Sequence, residues 1–329
     1  MTLIVLSSNR PANRFYRGGR QITDFRGEPP APSHEPEDWI ASTTSVFGEP
    51  GVGVTALPNG VTMPTAIDQD PEAWLGTDHV AAFGADTKLL VKLLDAGQRL
   101  PVHAHPDGHF ASKHLGHAHG KAEAWYILNG GTVHLGLRHD VSSFELRDLL
   151  ERQDSEGLLD LLNPVDVSPG DVVYVPPGEL HAIGEGVFLL EVQEPEDLSI
   201  LLEWRDFELD GFRDGHLGLG FDLALRAVSH RGLGKEELKE LIVRSSKSGS
   251  VLPPAADEYF RIERIFVDGP QVIDPGFAVI VAVQGDVTAA ATPVPAGSTA
   301  IAPNSIGPIP VTGQGELLVC RPPAPQGRS

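Results

Sequence analysis

Two histidines separated by a single residue, His103 and His105, open the chemically most informative stretch of this 329-residue chain. In a β-strand, residues two apart share a face, so both imidazoles point to the same side. Glu123, Trp125 and Ile127 share a face of the next strand by the same rule. Pro176-Pro177-Gly178 then makes a turn that presents His181 from a neighbouring strand. A lone histidine is most often a solvated or hydrogen-bonded side chain. Three neutral imidazoles and a carboxylate on converging strands are a donor set suited to a divalent transition metal.

The elements that must position these residues are short strands. Gly (36) and Pro (28) are plentiful, which favours many short strands and tight turns over long helices. Leu89 to Leu94 reads as a buried strand ending at Asp95-Ala96-Gly97. Ala122 to Leu128 and Thr132 to Leu137 flank Asn129-Gly130-Gly131, which predicts a hairpin. Asp171 to Val175 and Val187 to Val192 read as two more strands. Ser142 to Leu162, rich in Leu among charges, predicts a helical insertion broken near Gly157, and Phe221 to Val243 predicts a second helical stretch. Strands are expected again at Tyr259 to Val267, Ala278 to Val283, Thr288 to Ala291, Ala300 to Ala302 and Glu316 to Cys320. Before residue 85 the chain is turn-rich, with Val52 to Leu57 as a candidate strand. The tail after Pro322 reads as disordered.

The spacing matches the two consensus strings of the cupin superfamily. In the first, G-x5-H-x-H-x4-E-x6-G, the matching residues are Gly97, His103, His105, Glu123 and Gly130, with a longer spacer before Glu123. In the second, G-x5-P-x-G-x2-H, they are Gly170, Pro176, Gly178 and His181. Gly297 and Pro303 repeat the spacing of Gly170 and Pro176, but the position equivalent to His181 is Pro308, and no histidine follows His230. The expected fold is therefore mainly β, two jelly-roll-like cupin barrels with helical insertions, of which the second has no metal. The expected organisation is 1–85, N-terminal strands and loops completing the barrels; 86–205, the metal-binding catalytic barrel with its helical insertion at 142–162; 206–248, a helical connector; and 249–329, the second barrel.

Within that superfamily the chain resembles the short bacterial type I mannose-6-phosphate isomerases. The resemblance rests on Leu100-Pro101-Val102-His103-Ala104-His105-Pro106-Asp107, Gly120-Lys121-Ala122-Glu123-Ala124-Trp125-Tyr126, Pro177-Gly178-Glu179-Leu180-His181-Ala182-Ile183-Gly184 and Glu191-Val192-Gln193. Glu37-Asp38-Trp39-Ile40-Ala41-Ser42 is similar to an earlier stretch of that family. The resemblance implies one divalent metal ion, zinc in that family, on His103, His105, Glu123 and His181. It also implies active-site positions at Lys121 and Glu191, and reversible aldose–ketose isomerisation of a sugar or sugar phosphate. That chemistry needs a base to move a proton between C2 and C1, and a donor or cation for the enediolate charge. Glu191 is the candidate base, since the strands carrying His181 and Glu191 are expected to be neighbours, and Lys121 is the candidate donor.

Three positions depart from that pattern. His103 stands where the family has glutamine, which widens the metal choice to iron, manganese, nickel or cobalt. Pro101 replaces a serine, and Leu201 an arginine, both expected to hold phosphate; Arg205, four residues on, is the candidate substitute. Two other classes fit the same ligands. One is a metal-dependent cupin of another reaction type, such as an oxygenase. The other is a sugar-binding protein without turnover, to which Leu201 points. His109, His114, His117 and His119 read as a solvated loop rather than a second metal site.

A net charge of −20 argues against nucleic acid and anionic membrane surfaces as partners. One cysteine, Cys320, rules out an intrachain disulfide, and the short apolar N-terminus is expected to be neither a signal peptide nor a membrane span. A cytoplasmic location is the expectation. The sequence carries no signal for oligomeric state.

Overall fold

The computed structural model describes residues 1–244 and 247–325, and the strands predicted from alternation dominate it. Six of them form one antiparallel sheet in the order Ile242–Arg244, Asp171–Val175, Glu123–Asn129, Phe188–Gln193, Leu90–Asp95 and Glu37–Ile40. Five more form a second, in the order Ile200–Leu201, His103–Ala104, His181–Ile183, Gly131–Leu137 and Leu162–Val167. The two sheets face each other around a core that includes Trp125, Ile127, Val173 and Leu189 from the first and Val133, Leu135 and Ile183 from the second. Period-2 alternation sends Ala124, Tyr126, Val172, Leu190 and Val192 to the opposite face of the six-stranded sheet.

That back face is covered by a third sheet. Its main path runs Ile4–Leu6, Thr299–Ala302, Ala278–Ala289, Ile309–Arg321, Arg261–Asp268 and Gly249–Ser250, with Gln271–Ile273 paired to Ile309–Arg321 and Thr292–Pro295 to Ala278–Ala289. Val279, Val281, Leu318 and Cys320 meet the back of the six-stranded sheet, whereas Ile280, Ala282, Val287 and Val319 line a separate core. Each fully buried Val, Ile or Leu contributes about 1.5–3 kcal/mol relative to exposure, so this junction is a strong one. The N-terminal residues serve both halves, since Ile4–Leu6 edges the third sheet and Glu37–Ile40 the first. Met63, Ile67, Trp74 and Leu75, on the helices Met63–Gln69 and Pro71–Leu75, pack into the same junction.

Several local expectations are corrected. Asn129-Gly130-Gly131 is not a hairpin: Glu123–Asn129 pairs with Phe188–Gln193 and Asp171–Val175, while Gly131–Leu137 pairs in the facing sheet. The turn crosses between sheets because both flanking strands bury one face in the same core. A Cβ at Gly130 would lie 2.4 Å from the Val167 carbonyl oxygen, so the crossing demands glycine. The insertion forms helices Ser143–Arg152 and Ser155–Asp160, capped by Ser142 and Asp154, and breaks at Gln153 (φ 50°) rather than at Gly157. Among the described residues the expected helical connector holds only short helices, Gly211–Asp214, Phe221–Ala224 with the 3-10 turn Leu225–Ala227, and Lys235–Glu240; Ile242–Arg244 is instead an edge strand, its apolar residues drawn to the six-stranded sheet. Val52 to Leu57 is irregular, and Thr288 to Ala291 begins as the end of the long bent strand Ala278–Ala289. Of the disordered tail expected after Pro322, Pro323 is buried, and 326–329 lie outside the described residues. Among the described residues no helix is long and apolar enough to cross a membrane.

Candidate metal centre and its cavity

His103 and His181 are paired across adjacent strands of the five-stranded sheet, and their ring centroids lie 4.1 Å apart. His105 follows at the end of its strand, 5.0 Å from His103 and 4.8 Å from His181. The turn at Pro176-Pro177-Gly178 serves as expected: Gly178, at φ 88°, donates its N–H to the His105 carbonyl at 2.8 Å and so ties the two ligand segments together. Glu203, fully buried, accepts from the Val102 N–H at 3.0 Å and from the Arg99 guanidinium, which fixes the strand that leads into His103.

Each imidazole is oriented by a backbone carbonyl. Nδ1 of His103, His105 and His181 lies 2.8, 2.7 and 2.9 Å from the oxygens of Pro101, Leu198 and Glu179. Nδ1–H donates in each case, which leaves Nε2 as a bare lone pair facing the centre. One ligand atom from each ring lies within 4.8 Å of the others. Glu123 comes from the facing sheet, its Oε2 3.1 Å from His105 Nε2 and its Oε1 3.3 Å from His181 Nε2. The approach to His181 brings two acceptors together, because the proton of His181 is committed to Glu179; His181 Nε2 has no hydrogen-bond partner although fully buried. Such an arrangement calls for a cation, and three imidazoles with one carboxylate fit a divalent transition metal.

Charges around the centre are set by burial and by neighbours. Burial, then His181 and His105, holds His103 well below its ordinary value; burial and Lys121 push His105 down to about 3. Burial alone would raise Glu123, but Lys121 and His105 hold it well below the carboxylate range. Lys121 donates to Glu123 Oε2 at 2.8 Å and to His105 Nε2 at 2.9 Å, and the Trp125 indole donates to Glu123 Oε1 at 3.0 Å.

Glu191 lies on Phe188–Gln193, between Lys92 and Trp125 of the flanking strands. This corrects the expectation that its strand neighbours that of His181: the two belong to facing sheets, because the chain crosses between them after Ile183. Glu191 and Lys92 form a buried pair at 3.1 Å, and burial raises the Glu191 carboxyl despite Lys92. Lys92 lies 3.6 Å from Glu37 and 4.7 Å from the Trp39 ring. Glu37 also accepts from Tyr16 (2.7 Å), Trp39 (2.7 Å) and Arg14 (3.1 Å). Arg14 reaches Asp197 at 3.6 Å. Of this network the sequence pointed to Glu191 alone as a site residue; Lys92, Glu37, Arg14 and Asp197 were missed.

His103, Lys121, Glu191, Pro101 and Leu201 line one narrow cavity of ≈ 40 Å³, together with Arg14 and Lys92. It adjoins an outer basin of ≈ 500 Å³ that shares Arg14, Phe15, Asp197, Ser199 and Leu201. A wider concavity of ≈ 900 Å³ beside Gly285 and Gln314, on the third sheet, has neither an imidazole nor a cation in its lining. Arg205 is corrected as a site residue: it is exposed and donates to the Arg152 carbonyl, away from the cavity, because its strand has ended at Leu201. The histidine-rich segment begins as a helix, Gly108–His114, rather than a loop; His117 pairs with Glu196 and His119 with Asp86.

No protein-family model matches the chain. It is 29% identical over 260 residues to a Bacillus subtilis protein named "Probable mannose-6-phosphate isomerase GmuF", covering 77% of this chain and 76% of that one. It is 36% identical over 155 residues to the mannose-6-phosphate isomerase of Streptococcus mutans, an alignment spanning 45% of this chain and 46% of that one. The structure superposes on mannose 6-phosphate isomerase from Bacillus subtilis with a TM-score of 0.76 at 23% identity, covering 98% and 100% of the two chains. A variant of phosphomannose isomerase from Salmonella typhimurium gives 0.75 at 16%, covering 98% and 100%. The fold is thus the mainly β, cupin-type fold of these proteins.

Proposed function

We propose that the protein is a metal-dependent aldose–ketose isomerase with the chemistry named for its relatives, acting on a sugar or sugar phosphate. One observation carries this reading: a buried carboxylate with a raised pKa, Glu191, shares a cavity wall with His103 and Lys121. His103, His105, Glu123 and His181 would hold one divalent ion, zinc in the first instance, with iron, manganese, nickel or cobalt as alternatives. When bound, that ion supplies positive charge to stabilise an enediolate oxygen.

The chain's own residues supply the proton transfer. Glu191 removes the proton from C2 of the aldose and returns it to C1, and Lys92 at 3.1 Å holds its carboxylate in one orientation. Lys121, 5% exposed and facing the cavity, donates to a sugar oxygen as charge develops there.

The test is incubation of metal-loaded protein with aldoses in deuterated water. Ketose formation with deuterium at C1 or C2 is expected, and absence of exchange with every sugar offered would sink the proposal. Oxygen consumption by the ferrous-loaded protein, without isomerisation, would assign it to the oxygenase class instead. Sugar binding with neither activity would leave a binding protein.

A further inference from the structure

Of the three imidazoles, His103 is held differently from the other two. All three are oriented by a backbone carbonyl, but only the carbonyl behind His103 belongs to a peptide group gripped at its other end as well. The Pro101–Val102 peptide accepts from His103 Nδ1 through its oxygen at 2.8 Å and donates its N–H to Glu203 Oε2 at 3.0 Å. For His105 and His181 the equivalent N–H groups are those of Ser199 and Leu180, and among the described residues no carboxylate accepts from either.

Strand pairing explains why a side chain is needed there. His103–Ala104 pairs with Ile200–Leu201, and the Leu202 N–H continues the ladder to the Val102 carbonyl at 2.8 Å. The Leu202 carbonyl accepts instead from the Gln153 amide, at 3.1 Å. Val102 is fully buried, so without another acceptor its N–H would be orphaned, at a cost comparable to a lost hydrogen bond. The fully buried Glu203 carboxylate supplies that acceptor. It is itself clamped by the Arg99 fork, with Nη1 at 2.8 Å and Nη2 at 2.5 Å, and such a bidentate pair fixes orientation as well as charge. Pro101 adds a second restraint, because its ring fixes φ and leaves only ψ to set the plane of the following peptide. A peptide held by its N–H cannot turn its carbonyl away from His103. That carbonyl selects the tautomer and the ring orientation, and the hydrogen-bonded chain from the carboxylate makes Nε2 a more basic ligand.

We propose that Glu203 is a positioning residue of the metal centre, acting through the Pro101–Val102 peptide to hold His103 as a ligand. This rests on the reading that His103, His105, Glu123 and His181 hold a divalent ion. The test measures zinc affinity of the full chain by chelator competition, together with the Nδ1–H resonances of histidine-labelled, zinc-loaded protein. Glu203→Gln keeps the side chain's volume but not its charge. Its zinc Kd is expected to rise about tenfold, with the His103 resonance displaced and that of His181 unmoved. A role confined to stability would move neither in the folded protein. In a His103→Ala background the same substitution should change Kd by less than about twofold, because the residue through which Glu203 acts is gone. Wild-type zinc affinity in folded Glu203→Gln, or an equal loss in the His103→Ala background, overturns the proposal. Should Glu203→Gln not fold, Arg99→Lys, which keeps the charge but loses the fork, carries the same measurements. A higher zinc Kd with a displaced His103 resonance is expected there too, and an unchanged Kd overturns the proposal. A wild-type chain that binds no zinc sinks the metal-ion reading and this proposal with it, whereas unweakened binding in Glu203→Gln leaves that reading standing.

Discussion

Replacing Glu191 by glutamine keeps the side chain's volume and an acceptor for Lys92 but removes the carboxylate that takes the C2 proton. Lys92 retains Glu37 at 3.6 Å, so its ammonium is not orphaned and the stability loss stays below the ~3–5 kcal/mol of a fully broken buried pair. A general base contributes about 10²- to 10⁴-fold, which corresponds to roughly 2.7–5.4 kcal/mol of transition-state stabilisation. The expected result for Glu191→Gln is therefore a kcat lower by about 10²- to 10⁴-fold, with metal content and unfolding cooperativity retained. The pH profile gives a second readout. Burial raises the Glu191 carboxyl, and the base works only when ionised, so wild-type activity falls as pH drops through a midpoint above the ~4.3 of an ordinary glutamate. That acid limb should be missing from the residual activity of the variant. Deuterium wash-in followed by NMR, with metal analysis as control, measures both. A folded, metal-loaded Glu191→Gln enzyme within about threefold of wild type, or with an unchanged acid limb, would refute the assignment.

Elemental analysis should give one divalent ion per chain; His181→Ala should bind it more weakly, since one of four ligands is gone and only Glu123 and two imidazoles remain, while Pro308→His on the exposed turn of the third sheet should bind none in addition. Glu37→Gln should cost about 3 kcal/mol in urea denaturation at pH 7, because Arg14, Lys92, Tyr16 and Trp39 all converge on that carboxylate. Burial opposes its ionisation but Arg14 and Lys92 prevail, so its folded-state pKa is depressed. Its contribution is full above the unfolded value of ~4.3 and shrinks as pH falls below that, so the gap between variant and wild type should narrow at pH 3. Arg205→Ala should leave kcat/KM within about twofold, as an exposed side chain bonded only to the Arg152 carbonyl touches nothing in the cavity.

The metal cluster was legible because its signals are local. His103 and His105 share a face by strand parity, and the pairing Trp125 Nε1–Glu123 Oε1 at 3.0 Å follows from the same two-residue period. The charged half of the site was not legible, because it is assembled by register across four strands. Trp39 sits opposite Lys92, Lys92 opposite Glu191, and Glu191 opposite Trp125, and no segment of sequence records that row. A weaker signal was present. Lys92 is the one charge in the run Leu89 to Leu94, and Glu191 follows the apolar run Val187 to Leu190, so each marks an ionised group at a buried strand position. The Asn-Gly-Gly turn misled for a related reason. Turn residues specify that the chain reverses or corners, whereas which strands pair is decided by closure of the shared core.

The row of charges also explains why a third sheet packs on the back of the six-stranded sheet. Glu37, Lys92, Glu191 and Glu123 occupy inward positions of the catalytic sheet that apolar side chains would otherwise fill. Buried ion pairs contribute little net stability, because desolvation offsets most of their attraction. The front core of Trp125, Ile127, Val173 and Leu189 is therefore supplemented by burial of the sheet's other face. There Ala124, Tyr126, Val172, Leu190 and Val192 meet Val279, Val281, Leu318 and Cys320 in one continuous core. Had that face been left to solvent, alternation would have placed polar residues on it, and only the apolar part of the front face, including Trp125, Ile127, Val173 and Leu189, would have remained to anchor the sheet. Covering the back of the catalytic sheet is thus what allows its front to carry ionised groups in fixed positions, without the polar reorganisation that a looser site would need during proton transfer.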